Sequence, residues 1–305
     1  MPTINYDFTK FPIYKNIKIE DIIIPTTDDA AWEFFSSDRW LYNKLDLAEI
    51  NGIPCGPAGI YPTEYPVIVR PIINLMGGGY GSRKVNNDEE LEKYLLPGYF
   101  WMKWLNGKHL SYDIIVKDGN PVWIEIFEGH ELRDGMFDYW ETISSEVPSS
   151  QISNIINWTT SHLPEYTGCL CCETIDNKMI EAHLRMGDID RFMNLKLMQN
   201  IVNIYRGKEW RYEEEHKKFF LFALFAPHSQ DIVFPSKILR EVKHEATFFQ
   251  IDETDEANPP SGKRIAVLGS YDKELCISLR NLLIDSAQPP IVDEYVATLL
   301  GRKII

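Results

Sequence analysis

One strand-like segment and the glycine-rich stretch after it contain residue types that could bind phosphate. The run Val67–Pro71 is rich in β-branched residues, and alternate residues of a strand face opposite sides, so Ile68 and Arg70 would share a face. An arginine at the end of a strand can bind phosphate oxygens in a forked geometry. The glycines of Met76–Ser82 would let backbone amides approach a phosphate without side-chain obstruction. These residues alone fit a phosphate site and a surface arginine before a flexible loop equally well.

Turn signals and hydrophobic patterns predict a mixture of helices and hairpins around this segment. Three consecutive strands are predicted at 99–105, 109–116 and 121–127, joined by hairpin turns at Asn106–Gly107 and Asp118–Gly119. This succession favours an α+β architecture over strict βαβ alternation.

Further elements complete this prediction. Residues 30–51 are predicted to be helical up to Gly52, and the acidic segment 87–96 begins with a good helix start. A second hairpin, 168–175 with 178–185, turns at Asp176–Asn177.

Composition and charge limit the function classes. Hydrophobic residues make up 44% and charged residues 25% of the 305 residues, which is typical of a globular protein. The formal net charge of −14 argues against a nucleic-acid partner, because phosphate neutralisation needs clustered lysine and arginine. No signal peptide or membrane span is readable, and the apolar run 219–227 is predicted as a buried strand. We therefore expect a cytoplasmic protein that binds small molecules, with no nucleic-acid or membrane partner and an oligomeric state that the sequence leaves open.

The cysteine cluster Cys169, Cys171 and Cys172 allows two interpretations. It could form part of a zinc site with His183, but a zinc site usually has paired C-x-x-C elements, and no second cysteine pair exists. A free cysteine behaves as a small apolar residue, so core packing is favoured.

Three ordered blocks carry a resemblance to a known family. YPVIVRPIINLMGGGYGSRKV, followed by the acidic helix start, resembles the ATP-grasp superfamily, especially the ATP-binding domains of the carbamoyl-phosphate synthetase large chain. GYFWMKWLNGKHLSYDIIVKDGNPVWI is similar to the hinge strand and next hairpin, where adenine sits, and IEAHLRMGD resembles the closing E-x-N-x-R strand. The resemblance spans roughly residues 38–206 and is more specific than any single motif.

The resemblance implies a fold, a ligand and a reaction. The fold would be α+β and ATP-grasp-like, with two subdomains whose antiparallel sheets grip a nucleotide cleft. Residues 1–55 would be a helical lead-in, 56–207 the core, and 208–305 the rest of the core with an extension. ATP and a weakly held Mg²⁺ would be the cofactors. The protein would activate a carboxylate or bicarbonate by phosphorylation for attack by an amine.

Site residues follow from the resemblance position by position. Arg70 and Arg185 would neutralise charge on the transferring phosphoryl group. The segment around residues 39–44 would add a cation, with Lys44 preferred over Arg39, although any single lysine is more often a solvated helix residue. The metal would be held by Glu181 and His183. Trp104 or Leu105 would pack on the base, although both could equally be ordinary strand residues of the core. The remaining cofactor-binding positions are Gly77, Gly78, Gly79, Gly81, Ser82, Lys103, Trp104, Leu105 and His109.

Departures from the family pattern support a competing hypothesis. His109 stands where the family has a ribose-binding glutamate, and His183 stands where it has an asparagine. Imidazole suits softer metals than Mg²⁺. The segment before the core is also shorter than the family's N-terminal domain. These features favour a nucleotide-binding protein without turnover that acts by interaction, and a purely structural protein with the family fold is a third alternative.

The hairpin geometry yields a specific prediction about the metal face. A two-residue turn pairs Ile175 with Lys178 and, continued regularly, places Cys172 and Leu170 opposite Glu181 and His183, with Glu173 on the other side. One carboxylate would then remain, so we expect at most one weakly held Mg²⁺ that arrives with ATP. A softer metal held by Cys172, Glu181 and His183 is the alternative.

Overall fold

The computed structural model describes residues 22–133, 136–187, 195–213, 217–252 and 262–291, which cluster into two compact units. The first unit contains the described residues of Met1–Leu75, Lys84–Phe127 and Ile143–His216. The second contains those of Met76–Arg83, Glu128–Thr142 and Lys217–Ile305. The sequence-based division at residues 55 and 207 stays a prediction.

The first unit combines two antiparallel sheets with flanking helices. Its elements, in chain order, are α1 (Asp28–Phe34), a 3-10 helix (Arg39–Tyr42), α2 (Lys44–Ile50), β1 (Cys55–Pro57), β2 (Val67–Pro71), β3 (Arg83–Val85), α3 (Asp88–Tyr94), β4 (Tyr99–Lys103), β5 (His109–Lys117), β6 (Asn120–Arg133, shared with the second unit), α4 (Ser149–His162), β8 (Gly168–Ile175), β9 (Lys178–His183) and α5 (Leu195–Tyr205).

Local sequence explains the ends of these helices. The side chain of Asn43 accepts hydrogen bonds from the amides of Leu45 and Asp46 and so caps α2, which starts at Lys44. Asn87 caps α3 in the same way through the amide of Glu90. The helix predicted at 30–51 is interrupted, because chain turns at 35–38 and 43 divide it into α1, the 3-10 helix and α2.

Two sheets carry the candidate site. The smaller has the order β1–β4–β2–β3, with Arg70 of β2 opposite Phe100 of β4. In the larger, β5 lies between β6 and β8, and β9 pairs with β8. The main apolar core of the unit packs on one face of this second sheet, around Tyr112, Leu170 and Cys172.

One predicted hairpin is present and another is wrong. Asp118 and Gly119 have φ of 48° and 74°, as the tight two-residue turn between β5 and β6 requires. At the other predicted turn, Gly107 has a positive φ but Asn106 does not. Residues 104–108 therefore connect β4 to β5, which belong to different sheets, instead of folding them against each other.

The second unit is also antiparallel. Its elements are the second half of β6, then β7 (Met136–Thr142), β10 (Phe220–Ala226), α6 (Ser236–Glu245), β11 (Phe248–Ile251), β12 (Lys263–Ser270) and α7 (Lys273–Ser286). The strand predicted at 219–227 is confirmed as β10, which lies between β7 and β12 and is buried. The amphipathic helices α6 and α7 close its core.

Across the described ranges, no helix combines the length and apolar character that crossing a membrane demands.

Candidate functional site

The β8–β9 hairpin departs from its predicted register, and this changes which side chains face the site. Its turn is the predicted Asp176–Asn177, and both residues have positive φ. Ile175 pairs with Lys178 as expected, but the register shifts one step later, so Glu173 pairs with Glu181. The inserted residue of this β-bulge is Ile180. Because side chains alternate between the two sheet faces along a strand, each residue of β9 beyond the bulge lies on the same face as a different set of β8 residues than a regular hairpin would give it.

The predicted partners on the metal face are therefore corrected. Glu173 and Glu181 share a face, and Cys171 pairs with His183. Cys172 pairs with Ala182 and packs in the apolar core on the opposite face, so it cannot join Glu181 and His183 around a soft metal. All three clustered cysteines are buried free thiols, in agreement with the favoured core interpretation.

Glu181 binds two buried basic side chains. Lys44 Nζ donates to Oε1 of Glu181, and Arg70 Nη2 donates to Oε2 at 2.6 Å. Arg70 Nη1 also donates to the carbonyl of Ile180, at 3.1 Å. The side chains of Lys44, Arg70 and Glu181 are 2%, 7% and 11% exposed. Lys44 and Arg70, which were predicted to bind phosphate, thus both contact Glu181, which was predicted to bind metal.

The positions of these cations follow from the local fold. Arg70 lies near the end of β2, as predicted. Lys44 is the first residue of α2, and its amide donates to the carbonyl of Ile72, just beyond β2, at 2.9 Å. Arg39, the alternative to Lys44, instead donates to the carbonyl of Trp32 at 2.6 Å. Of the two candidates, Lys44 shares the carboxylate of Glu181 with Arg70, and its role in binding phosphate stays a prediction.

A second ion cluster forms around Asp28, a residue that sequence reasoning missed. Asp28 Oδ1 lies 2.9 Å from His183 Nδ1, and Oδ2 accepts from Arg185 Nη2 at 2.8 Å. The other ring nitrogen of His183 lies 3.3 Å from Glu181 Oε1, so the imidazole joins the two clusters. Asp28 and His183 are 4% and 3% exposed.

Burial and neighbouring charges shift the pKa values of these groups. Burial would raise the pKa of Glu181, but Lys44 and Arg70 outweigh it and hold this pKa well below its usual range. Burial would likewise raise the pKa of Asp28, yet Arg185 and His183 lower it. Burial lowers the pKa of Lys44, which Glu181 only partly offsets. Glu181 and Asp28 are therefore ionised carboxylates that the surrounding basic side chains hold in place.

Further polar side chains lie on the same sheet face. His109 Nε2 lies 2.9 Å from Glu173 Oε2, and Glu173 is 27% exposed. This contact lowers the pKa of Glu173 against the opposing effect of burial. Asp113 accepts a hydrogen bond from the amide of Gly187 at 2.6 Å. A lone aspartate in the apolar strand β5 was the signal that could have identified Asp113.

The predicted base-binding residues occupy the connection after β4. Lys103 is exposed, whereas Trp104 and Leu105 are half-buried. The Trp104 ring lies under Lys84 Nζ at 4.3 Å, and its indole donates to Asn106 at 3.1 Å. Leu105 packs beside the core residues of the smaller sheet. The role of Lys103, Trp104 and Leu105 in binding the base stays a prediction.

The glycine loop belongs to the second unit. Its glycines all adopt positive φ, at 69°, 59°, 66° and 77° for Gly77, Gly78, Gly79 and Gly81. Two successive turns are closed by the amides of Tyr80 and Ser82, which donate to the carbonyls of Gly77 and Gly79. Other residues would be strained here, so the glycines are required by the backbone. Their role in binding phosphate stays a prediction.

The residues present fit a nucleotide phosphate better than a resident metal ion. Arg70 Nε is buried without a hydrogen-bond partner in the described structure, so this guanidinium keeps one donor that the described protein groups do not satisfy. By contrast, the described residues contain no group of three or more histidine, cysteine, aspartate or glutamate side chains arranged to hold a metal. The predicted ligands Glu181 and His183 are instead engaged with protein partners.

The two antiparallel sheets, which include the β8–β9 hairpin, form the ATP-grasp fold, as predicted. Similar solved structures include an L-amino acid ligase from Bacillus licheniformis, with 15% identity, a TM-score of 0.61, and coverage of 87% of this chain and 77% of that one. Phosphoribosylamine–glycine ligase from Thermotoga maritima has 18% identity and a TM-score of 0.59, covering 90% of this chain and 84% of that one.

A third similar structure, N5-carboxyaminoimidazole synthetase from Staphylococcus aureus complexed with ADP, has 12% identity and a TM-score of 0.60, covering 81% of this chain and 72% of that one. No family model matches the sequence, and no curated protein is significantly similar to it. At these identities the similarity establishes the fold.

Proposed function

We propose that this chain binds ATP and activates a carboxylate or bicarbonate by phosphorylation for attack by an amine. The observation that carries the proposal is the gathering of Lys44 and Arg70 around Glu181 of the β8–β9 hairpin, with Arg185 just beyond that hairpin, in an ATP-grasp fold. Two similar structures are ligases by name, and a third contains ADP.

The basic side chains have a defined task in this reaction. ATP, as substrate, supplies the phosphoryl group, and negative charge spreads over its oxygens during transfer. Arg70 would donate to these oxygens through its unpartnered Nε, and Lys44 would add a second positive charge. Glu181 holds both cations in position, which limits the reorganisation needed when the anion binds. Trp104 would stack on the base.

Calorimetry with ATP and ADP tests nucleotide binding. Arg70→Ala should weaken binding by about 1.5–3 kcal/mol, the typical contribution of a charged hydrogen bond. Arg240→Ala, which removes the same charge from an exposed position of α6, is the control and should bind like the wild type. Failure of the wild type to bind either nucleotide at about millimolar concentration would refute the proposal. Equal affinity of Arg70→Ala would refute only the role of Arg70.

A second candidate is a nucleotide-binding protein that acts by interaction without turnover. The observation that favours it is the saturation of Glu181 and His183 by protein partners, which removes the predicted metal ligands. Phosphate release from ATP in the presence of pooled carboxylates and amines separates the two candidates. Turnover supports the ligase, whereas binding without phosphate release supports the second candidate. The cytoplasmic location and the absence of a nucleic-acid partner stay predictions.

A further inference from the structure

Each atom of Glu181 and His183 that could bind a metal already has a protein partner. In Glu181, Oε1 accepts from Lys44 and Oε2 accepts from Arg70. The two ring nitrogens of His183 face Asp28 Oδ1 at 2.9 Å and Glu181 Oε1 at 3.3 Å. A metal ion that binds His183, or that takes more than the one remaining lone-pair position of Glu181, would have to displace one of these contacts.

Burial makes such displacement unfavourable. Lys44 is 2% exposed, so a Lys44 released from Glu181 would remain a buried cation without its counter-charge. A divalent cation at Glu181 would also lie beside the positive charges of Lys44 and Arg70 and be repelled by both. Imidazole is moreover a poor ligand for Mg²⁺, which prefers oxygen.

The other carboxylates on this face each have at least one oxygen engaged by a protein group. Glu173 is engaged with His109, and Asp113 with the amide of Gly187. Among the residues that the structure describes, no set of three metal-binding side chains converges. The basic side chains nevertheless suit a phosphate group, because Lys44 and Arg70 meet at one carboxylate and Arg70 Nε has no hydrogen-bond partner in the described structure.

From this arrangement we propose that the Lys44–Arg70 site binds a nucleoside polyphosphate as the metal-free anion, with the fixed cations in the place of a divalent ion. The inference rests on the proposed function, since it specifies which form of the nucleotide that site takes. A nucleotide complexed with Mg²⁺ has lost two negative charges and is attracted less strongly by fixed cations. Mg²⁺ should therefore leave the affinity unchanged or lower it.

The first test is calorimetric titration of the full chain with ADP, in EDTA and in millimolar Mg²⁺. The expected dissociation constant in EDTA is equal to or lower than that in Mg²⁺. Binding that is about tenfold or more tighter with Mg²⁺ would overturn the inference and leave the proposed function standing. Binding in neither condition would overturn both.

A substitution of Lys44 tests whether its charge is responsible for binding the metal-free nucleotide. Lys44→Met keeps the length of the side chain, removes one cation and frees Oε1 of Glu181. We expect it to weaken ADP binding in EDTA by about tenfold or more, and Mg²⁺ to restore part of this loss. Lys178→Met is the matched control, because Lys178 is an exposed residue of the same hairpin that donates to the carbonyl of Asn51. Wild-type behaviour of Lys44→Met in both buffers would contradict the inference.

Paramagnetic resonance with Mn²⁺ alone provides a readout without nucleotide or activity. The wild type should leave the signal of free Mn²⁺ unchanged at micromolar metal, because the hairpin carboxylates are occupied. Loss of that signal in the wild type, reversed in Glu181→Gln, would overturn the inference. Should Lys44→Met fail to fold, the wild-type titrations with ADP and Mn²⁺ decide the question by themselves.

Discussion

Replacing Asp28 by asparagine tests whether the buried ion cluster stabilises the first unit. The change keeps the shape of the side chain but removes the charge that faces His183 at 2.9 Å and Arg185 at 2.8 Å. Removing one partner of a buried ion pair typically costs about 3–5 kcal/mol, because the other partner stays buried and uncompensated. The asparagine oxygen can still accept one hydrogen bond, so we expect a loss of about 3 kcal/mol. For a domain of this size, that loss lowers the melting temperature by roughly 6–12 °C.

Asp29→Asn is the matched control for this measurement. Asp29 is exposed and lies in the same first turn of α1, so both substitutions remove one negative charge from the same helix N-terminus. The helix-dipole contribution therefore cancels, and Asp29→Asn should change stability by less than about 0.5 kcal/mol. Thermal unfolding followed by circular dichroism measures both. Equal melting temperatures of the two variants would refute the argument that the buried cluster is ionic and stabilising.

The pH dependence of the same comparison follows from the shifted pKa values. The pKa of Asp28 is lowered in the folded protein, so its contribution is present above about pH 4 and is lost as the pH falls through the folded pKa. The pKa of His183 is raised, because Asp28 outweighs the lowering by burial, so its contribution is present below about pH 6.5 and is lost as the pH rises through the folded pKa. The stability difference between wild type and Asp28→Asn should be greatest between these limits.

Other predictions concern the backbone, the second unit and the thiols. Gly119→Ala would place a Cβ 2.3 Å from a backbone carbonyl oxygen, and this clash should lower the free energy of unfolding by on the order of several kcal/mol. Gly52→Ala, which has open space around the new Cβ at a similar φ, should lower it by about 1–2 kcal/mol, as measured by denaturant unfolding. Arg280→Met removes the partner of Asp138 at 2.6 Å and should cost about 3–5 kcal/mol in the same assay, and a neutral result would contradict a buried charge pair there. Of the five cysteines, only the half-buried Cys55 should react with iodoacetamide in the folded protein. The reaction should be slow, because burial together with Glu49 raises the pKa of Cys55 to about 11. Detection of a second labelled thiol by mass spectrometry would contradict the described burial of the other four.

The parts of the fold that depend on neighbouring residues could be predicted from the sequence. Asp118–Gly119 and Asp176–Asn177 do form tight turns, because the residue types that tolerate positive φ identify such turns directly. The same reasoning failed at Asn106–Gly107, since the turn signal does not report whether the flanking strands pair with each other. Pairing between strands is decided by tertiary packing, which short-range signals do not contain.

The sequence predicted which residues lie together at the candidate site, whereas their roles there stay predictions. Arg70, Lys44, Glu181, His183 and Arg185 were all expected at the site, and all lie in the buried ion clusters. Their pairings could not be deduced, because Lys44 and Glu181 are 137 positions apart and no local rule relates them. The β-bulge could not be predicted from the sequence either, because a regular hairpin and a bulged one share the same turn residues.

Whether the site supports turnover depends on what it costs to release Glu181 from its partners. A carboxylate offers about four lone-pair positions, and Lys44, Arg70 and His183 already occupy three of those on Glu181. A metal ion that needs more than the remaining position must separate a buried ion pair, which costs about 3–5 kcal/mol. That cost weakens metal binding by roughly two to four orders of magnitude relative to a free carboxylate. An anion that binds Arg70 Nε breaks no hydrogen bond of that atom, which has no partner in the described structure, although neighbouring atoms must move to expose it. The same ion pairs therefore favour binding of an anion and oppose binding of a metal, so nucleotide affinity and catalytic turnover need not be retained together.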